Sequence, residues 1–519
     1  MPDATSDAPG DAPSDGAHDA VTDGPHDAST NADGGPAEGG SDASDASIDS
    51  GLDAGIPSCA VIDLQPDGSA RCGNGWRDPT EECDLGDASS DGGPLSRAAC
   101  SATCTVVDLL DEVQLSDGGL ANAQRTLGGG RHQLAASDNT FAVATLENPT
   151  STPTVAMTTF TRKGLSRSGA MPISVGSVVT DQGDPVIAAL PCDHYVAAWN
   201  DLNGDGDGLG VALRLVTPGT VPSGKLAFAN KTTALDQYGP DLLWTGSSVV
   251  AAWTDTSNVS TGPDVVLRTF DLNLDPTSDE QVLANTADLE GDVTLAAFEG
   301  SWAAAWRDDA NGLEQIRVHT GSTDWTVGPA FLPPSVLTKI ALVELNSHDL
   351  LVGFSIGVDP AETGVPNASS MLMAAIVSLA SPGTVSAGPV PVNTTVEGAS
   401  TGLAHAYANA VVAGGLLYGA WWTAGVSGDP NGEQIWFAPV APSADGGLTP
   451  AGSELLLPRT AAHRGGDQRG PAMAVNHVSG GAELVTAWDD LGKGFGQGEG
   501  TGDVVVEVVP LPILRNGSQ

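Results

Sequence analysis

Asp236-Gln237-Tyr238-Gly239-Pro240-Asp241-Leu242-Leu243-Trp244, a Gly-Ser turn, and Val249-Val250-Ala251-Ala252-Trp253-Thr254-Asp255 form the stretch on which the reading of this chain turns. Two short apolar runs flank a turn, and a third, Asp264-Val265-Val266-Leu267-Arg268-Thr269-Phe270, follows a polar loop. Runs of this length, rich in Val, Leu and Trp and bounded by Gly, Pro and Asp, read as antiparallel strands.

The same plan recurs. Asp181-Gln182-Gly183-Asp184-Pro185 leads to Tyr195-Val196-Ala197-Ala198-Trp199-Asn200-Asp201, and Asp467-Gln468-Arg469-Gly470-Pro471 leads to Leu484-Val485-Thr486-Ala487-Trp488-Asp489-Asp490. Weaker copies centre on Trp306, Phe354 and Trp421-Trp422, and a first copy holds Phe141-Ala142-Val143-Ala144-Thr145. Taking Thr145, Trp199, Trp253, Trp306, Phe354, Trp421 and Trp488 as anchors gives steps of 54, 54, 53, 48, 67 and 67 residues. Repeats of this period, with about four strands each, are the mark of propeller blades. One such sheet cannot cover both of its faces, but a neighbour on each side does. The expected fold is therefore all-β, a seven-bladed β-propeller over residues 106–519. Six or eight blades, or two packed sandwiches, are the alternatives. The repeated Trp is expected to pack between blades rather than to stack on a sugar. The last unit runs short of strands near Gln519, so a strand from Val106–Leu127 is expected to complete its outer edge.

Ala399–Gly428 holds no Asp, Glu, Lys or Arg and is long enough to span a bilayer. It nonetheless falls in register with the repeat, with Gly414-Gly415 where the hairpin turn belongs, so two buried strands are expected there.

Composition limits the function. Acidic residues outnumber basic ones 65 to 20, for a net charge of −45, while charged residues are only 16% of the chain. Such a chain cannot hold nucleic acid by neutralising phosphates, and an anionic membrane surface repels it. Residues 1–58 contain twelve Asp and Glu38 without a Lys or Arg, and Asp recurs every four residues from Asp3 to Asp27. With almost no large apolar side chains, this segment is expected to be a disordered acidic linker. No charged and apolar leader is visible at Met1. Membrane anchoring would need a signal or lipid that this sequence does not carry.

The six cysteines are Cys59, Cys72, Cys83, Cys100, Cys104 and Cys192. Five fall within residues 59–105, with only one close pair and no His among them, which favours disulfides over zinc. Disulfides place the chain in an oxidising compartment. Five is an odd number, so a Cys59–Cys192 bridge would tie this small module to the domain that follows. The other pairings stay open.

Cys72-Gly73-Asn74-Gly75, Asp78-Pro79-Thr80-Glu81-Glu82-Cys83-Asp84-Leu85-Gly86 and Cys100-Ser101-Ala102-Thr103-Cys104 together resemble the myxobacterial cysteine-rich repeat. Thr80 and Leu85 depart from the residues that family prefers, Gly and Asp. The resemblance implies an extracytoplasmic module of a bacterial surface or secreted protein, in the manner of a lipoprotein, and implies no catalysis.

The chain lacks the short signatures of nucleophile elbows, zinc proteases and phosphate loops. The strongest local pattern is Asp201-Leu202-Asn203-Gly204-Asp205-Gly206-Asp207-Gly208. Asp201, Asn203, Asp205 and Asp207 match the first half of a calcium loop, but the twelfth position is Ala212 rather than a bidentate carboxylate. Calcium is the one candidate cofactor, and a solvated turn is the competing reading. Asp also follows Trp at a spacing of two in Trp199/Asp201, Trp253/Asp255, Trp306/Asp308 and Trp488/Asp490. These Asp are expected to cap turns. If they ring one face of the disc, they make a negative rim for cations or polyhydroxyl ligands. The sequence thus points to an extracytoplasmic binding or scaffold protein with a protein or carbohydrate partner. The alternative is a glycan-active propeller enzyme.

Overall fold

The Asp-Gln-x-Gly/Asp-Pro motif that opens three of the first strands has a direct structural consequence in the computed structural model, which describes residues 113–114, 124–125 and stretches between 132 and 510. Among these residues the chain is all β, in seven antiparallel sheets. The first holds β2 (Gln124–Arg125), β3 (Leu134–Ala136), β4 (Thr140–Glu147), β5 (Thr154–Thr161) and β6 (Met171–Pro172). The second runs β7 (Gln182–Leu190), β8 (His194–Leu202), β9 (Leu209–Val216), β10 (Leu226–Phe228). The third is β11 (Gln237–Trp244), β12 (Val249–Asp255), β13 (Asp264–Phe270), β14 (Gln281–Ala284). The fourth is β15 (Leu289–Phe298), β16 (Ser301–Ala310), β17 (Leu313–Thr320), β18 (Thr323–Phe331). The fifth is β19 (Val336–Asn346), β20 (Asp349–Gly357), β21 (Met371–Ser378), β22 (Val385–Pro391). The sixth holds β23 (Ala406–Ala413), β24 (Leu416–Thr423), β25 (Gln434–Pro442), β26 (Leu448–Pro450) and β27 (Leu455–Leu457). The last consists of β28 (Gln468–Val478), β29 (Gly481–Asp490), β30 (Asp503–Pro510) and, on its outer edge, β1 (Val113–Gln114). Val113 pairs with Val506, so a strand from before the first repeat does complete the last sheet.

The sheets follow one another as a ring. The first strand of each sheet touches the first strand of the next, from β7 through β11, β15, β19 and β23 to β28, and β28 meets β3. The closing seam is apolar: Leu134, Phe141, Val143 and Phe160 pack with Ala472, Val485, Ala487, Val504 and Val506. This is a β-propeller. Its core lies between sheets rather than within them, because each sheet presents two apolar faces. The anchoring Trp sit in those seams. Trp253 packs with Val186, Val196, Val211 and Leu213 of the preceding sheet, and Trp306 packs with Val250, Ala252 and Leu267. Trp199, Trp253 and Trp488 are fully buried, as the interblade reading requires.

The Gly/Asp-Pro dipeptides mark a bulge on the innermost strands. Register shifts fall between Gly183 and Val186, Tyr238 and Asp241, Gly291 and Thr294, and Arg469 and Ala472. The bulged residue takes the left-handed conformation in Asp184 (φ 45°), Gly239 (65°), Asp292 (54°) and Gly470 (60°). Pro185, Pro240 and Pro471 follow three of these. Pro suits a strand at the edge of its sheet, where no ladder partner needs its missing N–H.

The uncharged stretch near residue 400 supplies β23 and β24, paired as a hairpin. Among the described residues no helix is long and apolar enough to cross a membrane. The acidic segment 1–58 and the cysteines at 59, 72, 83, 100 and 104 lie outside the described residues.

Candidate functional site

The same register that builds the sheets collects polar residues at one end of each. Asp201 lies near the end of β8 opposite Gln182, Asp255 ends β12 opposite Gln237, Asp308 lies near the end of β16 opposite Glu290, and Asp490 ends β29 opposite Gln468. Each pair sits where the innermost strand begins. Hydrogen bonds between sheets show that these ends are neighbours in space. Gly239 N donates to Asn200 Oδ1 at 3.0 Å, Val155 N to Gln182 Oε1 at 3.0 Å, and Glu290 N to Pro263 O at 3.1 Å. One end of the propeller is therefore acidic.

The Asp of the Trp-x-Asp pairs do varied work there. Asp255 Oδ1 accepts from Ser257 N at 2.8 Å, the expected turn cap, and from Gln237 Nε2 at 3.3 Å. Asp201 Oδ2 instead accepts from its own Trp199 Nε1 at 3.2 Å, and Asp308 Oδ2 accepts from Gln315 Nε2 at 2.9 Å.

Of the candidate calcium residues, Asp201 lies near the end of β8, and Asn203, Asp205 and Asp207 lie in the loop between β8 and β9 at this acidic end. Their side chains face different partners. Asp205 Oδ2 accepts from Asn230 Nδ2 at 2.5 Å, Asp207 Oδ2 accepts from Leu235 N at 3.3 Å, and Asp201 is buried beside Trp199. Asn203 takes a φ of 58° and is exposed. The loop is pressed against the segment leading to β11: a Cβ on Gly208 would meet Leu235 O at 2.4 Å, and Gly208 has a φ of 54°. Among the described residues no three His, Cys, Asp or Glu side chains converge to hold a metal ion.

A second constellation lies on the innermost strands. At the position four residues after the leading Gln or Glu, the repeat places Val186, Thr294 and Ala472, whereas the third sheet places Asp241. Asp241 is fully buried, and its Oδ2 accepts from Leu295 N at 2.7 Å and from the Thr294 hydroxyl at 3.3 Å. Its Oδ1 is 2.9 Å from His132 Nδ1, and the imidazole is 30% exposed. The backbone of His132 meanwhile accepts from Ile187 N at 2.6 Å. The pair thus spans four sheets, from the residue just before β3, past β7, to β11 and β15. Burial disfavours the imidazolium, but the charge and hydrogen bond of Asp241, helped by the Leu242 backbone, outweigh it and raise the His132 pKa. A buried carboxylate that orients an accessible imidazole is an arrangement able to donate and accept protons.

A third group gathers where the third and fourth sheets meet. Burial pushes the Asp264 carboxyl up, with Asp255 adding to the shift, and the Thr261 hydroxyl opposes it. Burial also pushes Glu290 up. Hydrogen bonds from Thr286 oppose that shift, and the charges of Asp308 and Asp264 add to it.

Cys192 lies at the opposite end of the second sheet, in the turn between β7 and β8, and is disulfide-bonded. Cys192 and Asp193 both take left-handed conformations, with φ of 63° and 58°. Asp193 Oδ1 holds the turn to the first sheet by accepting from Thr140 N and Oγ1, each at 3.1 Å.

The sequence offered an acidic rim only as the alternative to turn-capping Asp, and it missed His132, Asp241 and Glu290. The signal for the last two is a departure from the repeat. Asp241 stands among Val, Thr and Ala, and Glu290 stands where three other sheets have Gln.

The site and the ring define a β-propeller protein with one acidic end. No known family and no curated protein matches the chain. Among solved structures it is similar to a polysaccharide lyase, an ulvan lyase, at 8% identity, covering 78% of this chain and 99% of that one with a TM-score of 0.45. It is similar to an N11 neuraminidase-like protein of a flat-faced bat virus at 9% identity, covering 79% and 94% of the two chains with a TM-score of 0.41. It is also similar to a prolyl endopeptidase at 11% identity with a TM-score of 0.39, covering 74% of this chain but only 51% of that one, about half its length.

Proposed function

We propose that this is an extracytoplasmic binding or scaffold protein, surface-displayed or secreted by a bacterium, that meets its partner with the acidic end of the disc. Each of the seven sheets is read as one blade, and residues 59–105 as a disulfide module of the cysteine-rich kind. The disulfide at Cys192 supports an oxidising compartment.

The observation that carries the binding role is the gathering of carboxylates at one end. Asp184, Asp205, Asp207, Asp236, Asp292 and Asp309 are all at least partly exposed there. Arg307 and Arg317 stand among them, each already 3.6 Å from a carboxylate, of Asp292 and Asp308 respectively. Such a field draws positively charged groups and suits hydroxyl-rich ligands, which donate hydrogen bonds to carboxylates. The test is binding of immobilised protein to a panel of neutral oligosaccharides and to a lysine-rich peptide. Binding that is lost in Asp207→Lys/Asp236→Lys supports the acidic end as the recognition face. Binding unchanged in that variant removes it.

A second reading, a glycan-active enzyme, is favoured by the His132–Asp241 pair alone. Its test is release of new chain ends from a polysaccharide panel, with loss of that release in His132→Ala.

A further inference from the structure

We propose that Glu290 carries a proton at neutral pH, as the protonated member of a buried carboxyl group formed with Asp255, Asp264 and Asp308, and that losing this proton as the pH rises loosens the seam between the third and fourth sheets. The geometry begins with two like-charged cross-strand pairs, Asp255 opposite Asp264 and Glu290 opposite Asp308. The bond from Glu290 N to Pro263 O, 3.1 Å, sets the pairs side by side. All four residues are buried, Glu290 most fully at 2% exposure.

Each carboxyl has one oxygen engaged. Asp255 Oδ1 takes Ser257 N and Gln237 Nε2, and Asp264 Oδ2 takes the Thr261 hydroxyl at 3.1 Å. Glu290 Oε1 takes the Thr286 backbone N and hydroxyl, and Asp308 Oδ2 takes Gln315 Nε2. The remaining oxygens Asp264 Oδ1, Glu290 Oε2 and Asp308 Oδ1 are buried without a hydrogen-bond partner, as is Thr254 Oγ1. That hydroxyl lies against the same strand: a Cβ on Gly291 would stand 3.3 Å from it. The seam thus has more acceptors than donors, because the Thr254 hydroxyl can offer one O–H while three carboxyl oxygens lack a partner. Leaving them so is costly in a medium of low dielectric. Of the basic groups nearby, Arg317 reaches only Asp308, its Nε 3.6 Å from Oδ2, and Arg307 is committed outward to Asp292 at 3.6 Å. Among the described residues no ion pair reaches Asp255, Asp264 or Glu290.

A proton supplies the missing donor. The repeat shows that a neutral donor fits: Gln182, Gln237 and Gln468 hold the register position of Glu290, opposite Asp201, Asp255 and Asp490. Gln237 Nε2 donates to the Asp opposite it at 3.3 Å. A protonated Glu290 presents a donor and an acceptor in nearly the shape of that amide. The raised pKa of Glu290, caused first by burial, agrees with this reading. A metal ion is the competing occupant, but three of these carboxyls do not converge on one point.

A carboxyl held above its unfolded pKa stabilises the native state fully below the unfolded pKa, and that contribution is lost as the pH rises through the native pKa. The test compares denaturant unfolding of the full chain and of Glu290→Gln from pH 5 to pH 8. The two are expected to coincide near pH 5, and the variant to become the more stable as the pH rises. The unfolding constant of the wild type should change with pH more steeply, by up to about tenfold per pH unit. The infrared band of a protonated carboxyl present in the wild type at neutral pH should be missing in Glu290→Gln. A gap between the two proteins that does not change with pH overturns the proposal, as does a variant weaker at every pH. A calcium-induced rise in wild-type stability that Glu290→Gln abolishes overturns it in favour of a metal.

Discussion

His132 Nδ1 stands 2.9 Å from Asp241 Oδ1 across 109 residues of chain, and the carboxylate between them and β15 is fully buried. Asp241 has three hydrogen-bond partners: His132, Leu295 N and the Thr294 hydroxyl. Asp241→Val, which restores the residue type of the second sheet, leaves that backbone N–H and hydroxyl unpaired. It should cost about 2–4 kcal/mol in denaturant unfolding. His132→Ala should show the pH signature of a raised imidazole. Its deficit is largest below about pH 6.5, the unfolded value. The deficit shrinks as the pH rises through the native pKa. A deficit that grows with pH would show that the pair is not an imidazolium–carboxylate contact.

Trp253 is fully buried and fills the seam with the second sheet, touching the Val186, Val196 and Val211 layer. Trp253→Ala should cost about 3–5 kcal/mol, read as a shift in unfolding midpoint. If the Trp were held for ligand stacking, its removal would leave the midpoint nearly unchanged.

These seams were legible in the sequence because an apolar strand with a Trp at a fixed place recurs, and a propeller of repeated sheets follows from it. The Asp-Gln-x-Gly/Asp-Pro motif was legible as a repeat but not as a bulge, since left-handed backbone at Asp184 or Asp292 has no compositional mark. The His132–Asp241 contact was not legible. It depends on the ring bringing the first sheet within reach of the third, and one sequence carries no record of that distance. Glu290 was half legible, as an acid among Gln, but its meaning needed Pro263 and Asp264 beside it.

The bulge makes its own prediction. Gly239 has a φ of 65° and Asp184, at the same place one sheet earlier, 45°. Gly239→Ala should destabilise by about 1 kcal/mol or more, because a Cβ strains left-handed backbone. Asp184→Gly relieves that strain but removes the carboxylate that accepts from Asn200 Nδ2 at 3.0 Å. It should therefore fall close to neutral. Unfolding midpoints that reverse this order would show that the bulge does not set the local backbone energy.

Cys192 is disulfide-bonded, and the only other cysteines of the chain are Cys59, Cys72, Cys83, Cys100 and Cys104. Its turn is held to the first sheet by Asp193, Thr140 and the Ser137 hydroxyl, which donates to Leu190 O at 2.7 Å. Peptide mapping without reduction should therefore join the Cys192 peptide to one from residues 59–104. A Cys192–Cys192 link between two chains would refute that. A bridge closing a loop of this length contributes about 5 kcal/mol in the chain-entropy account. Reductant should lower the unfolding midpoint of the wild type, and Cys192→Ser should reproduce the part that this bridge supplies. The bridge leaves from the end of the second sheet opposite to the acidic loops at Asp205 and Asp207. Binding of a partner at the acidic end should therefore survive Cys192→Ser wherever the protein remains folded.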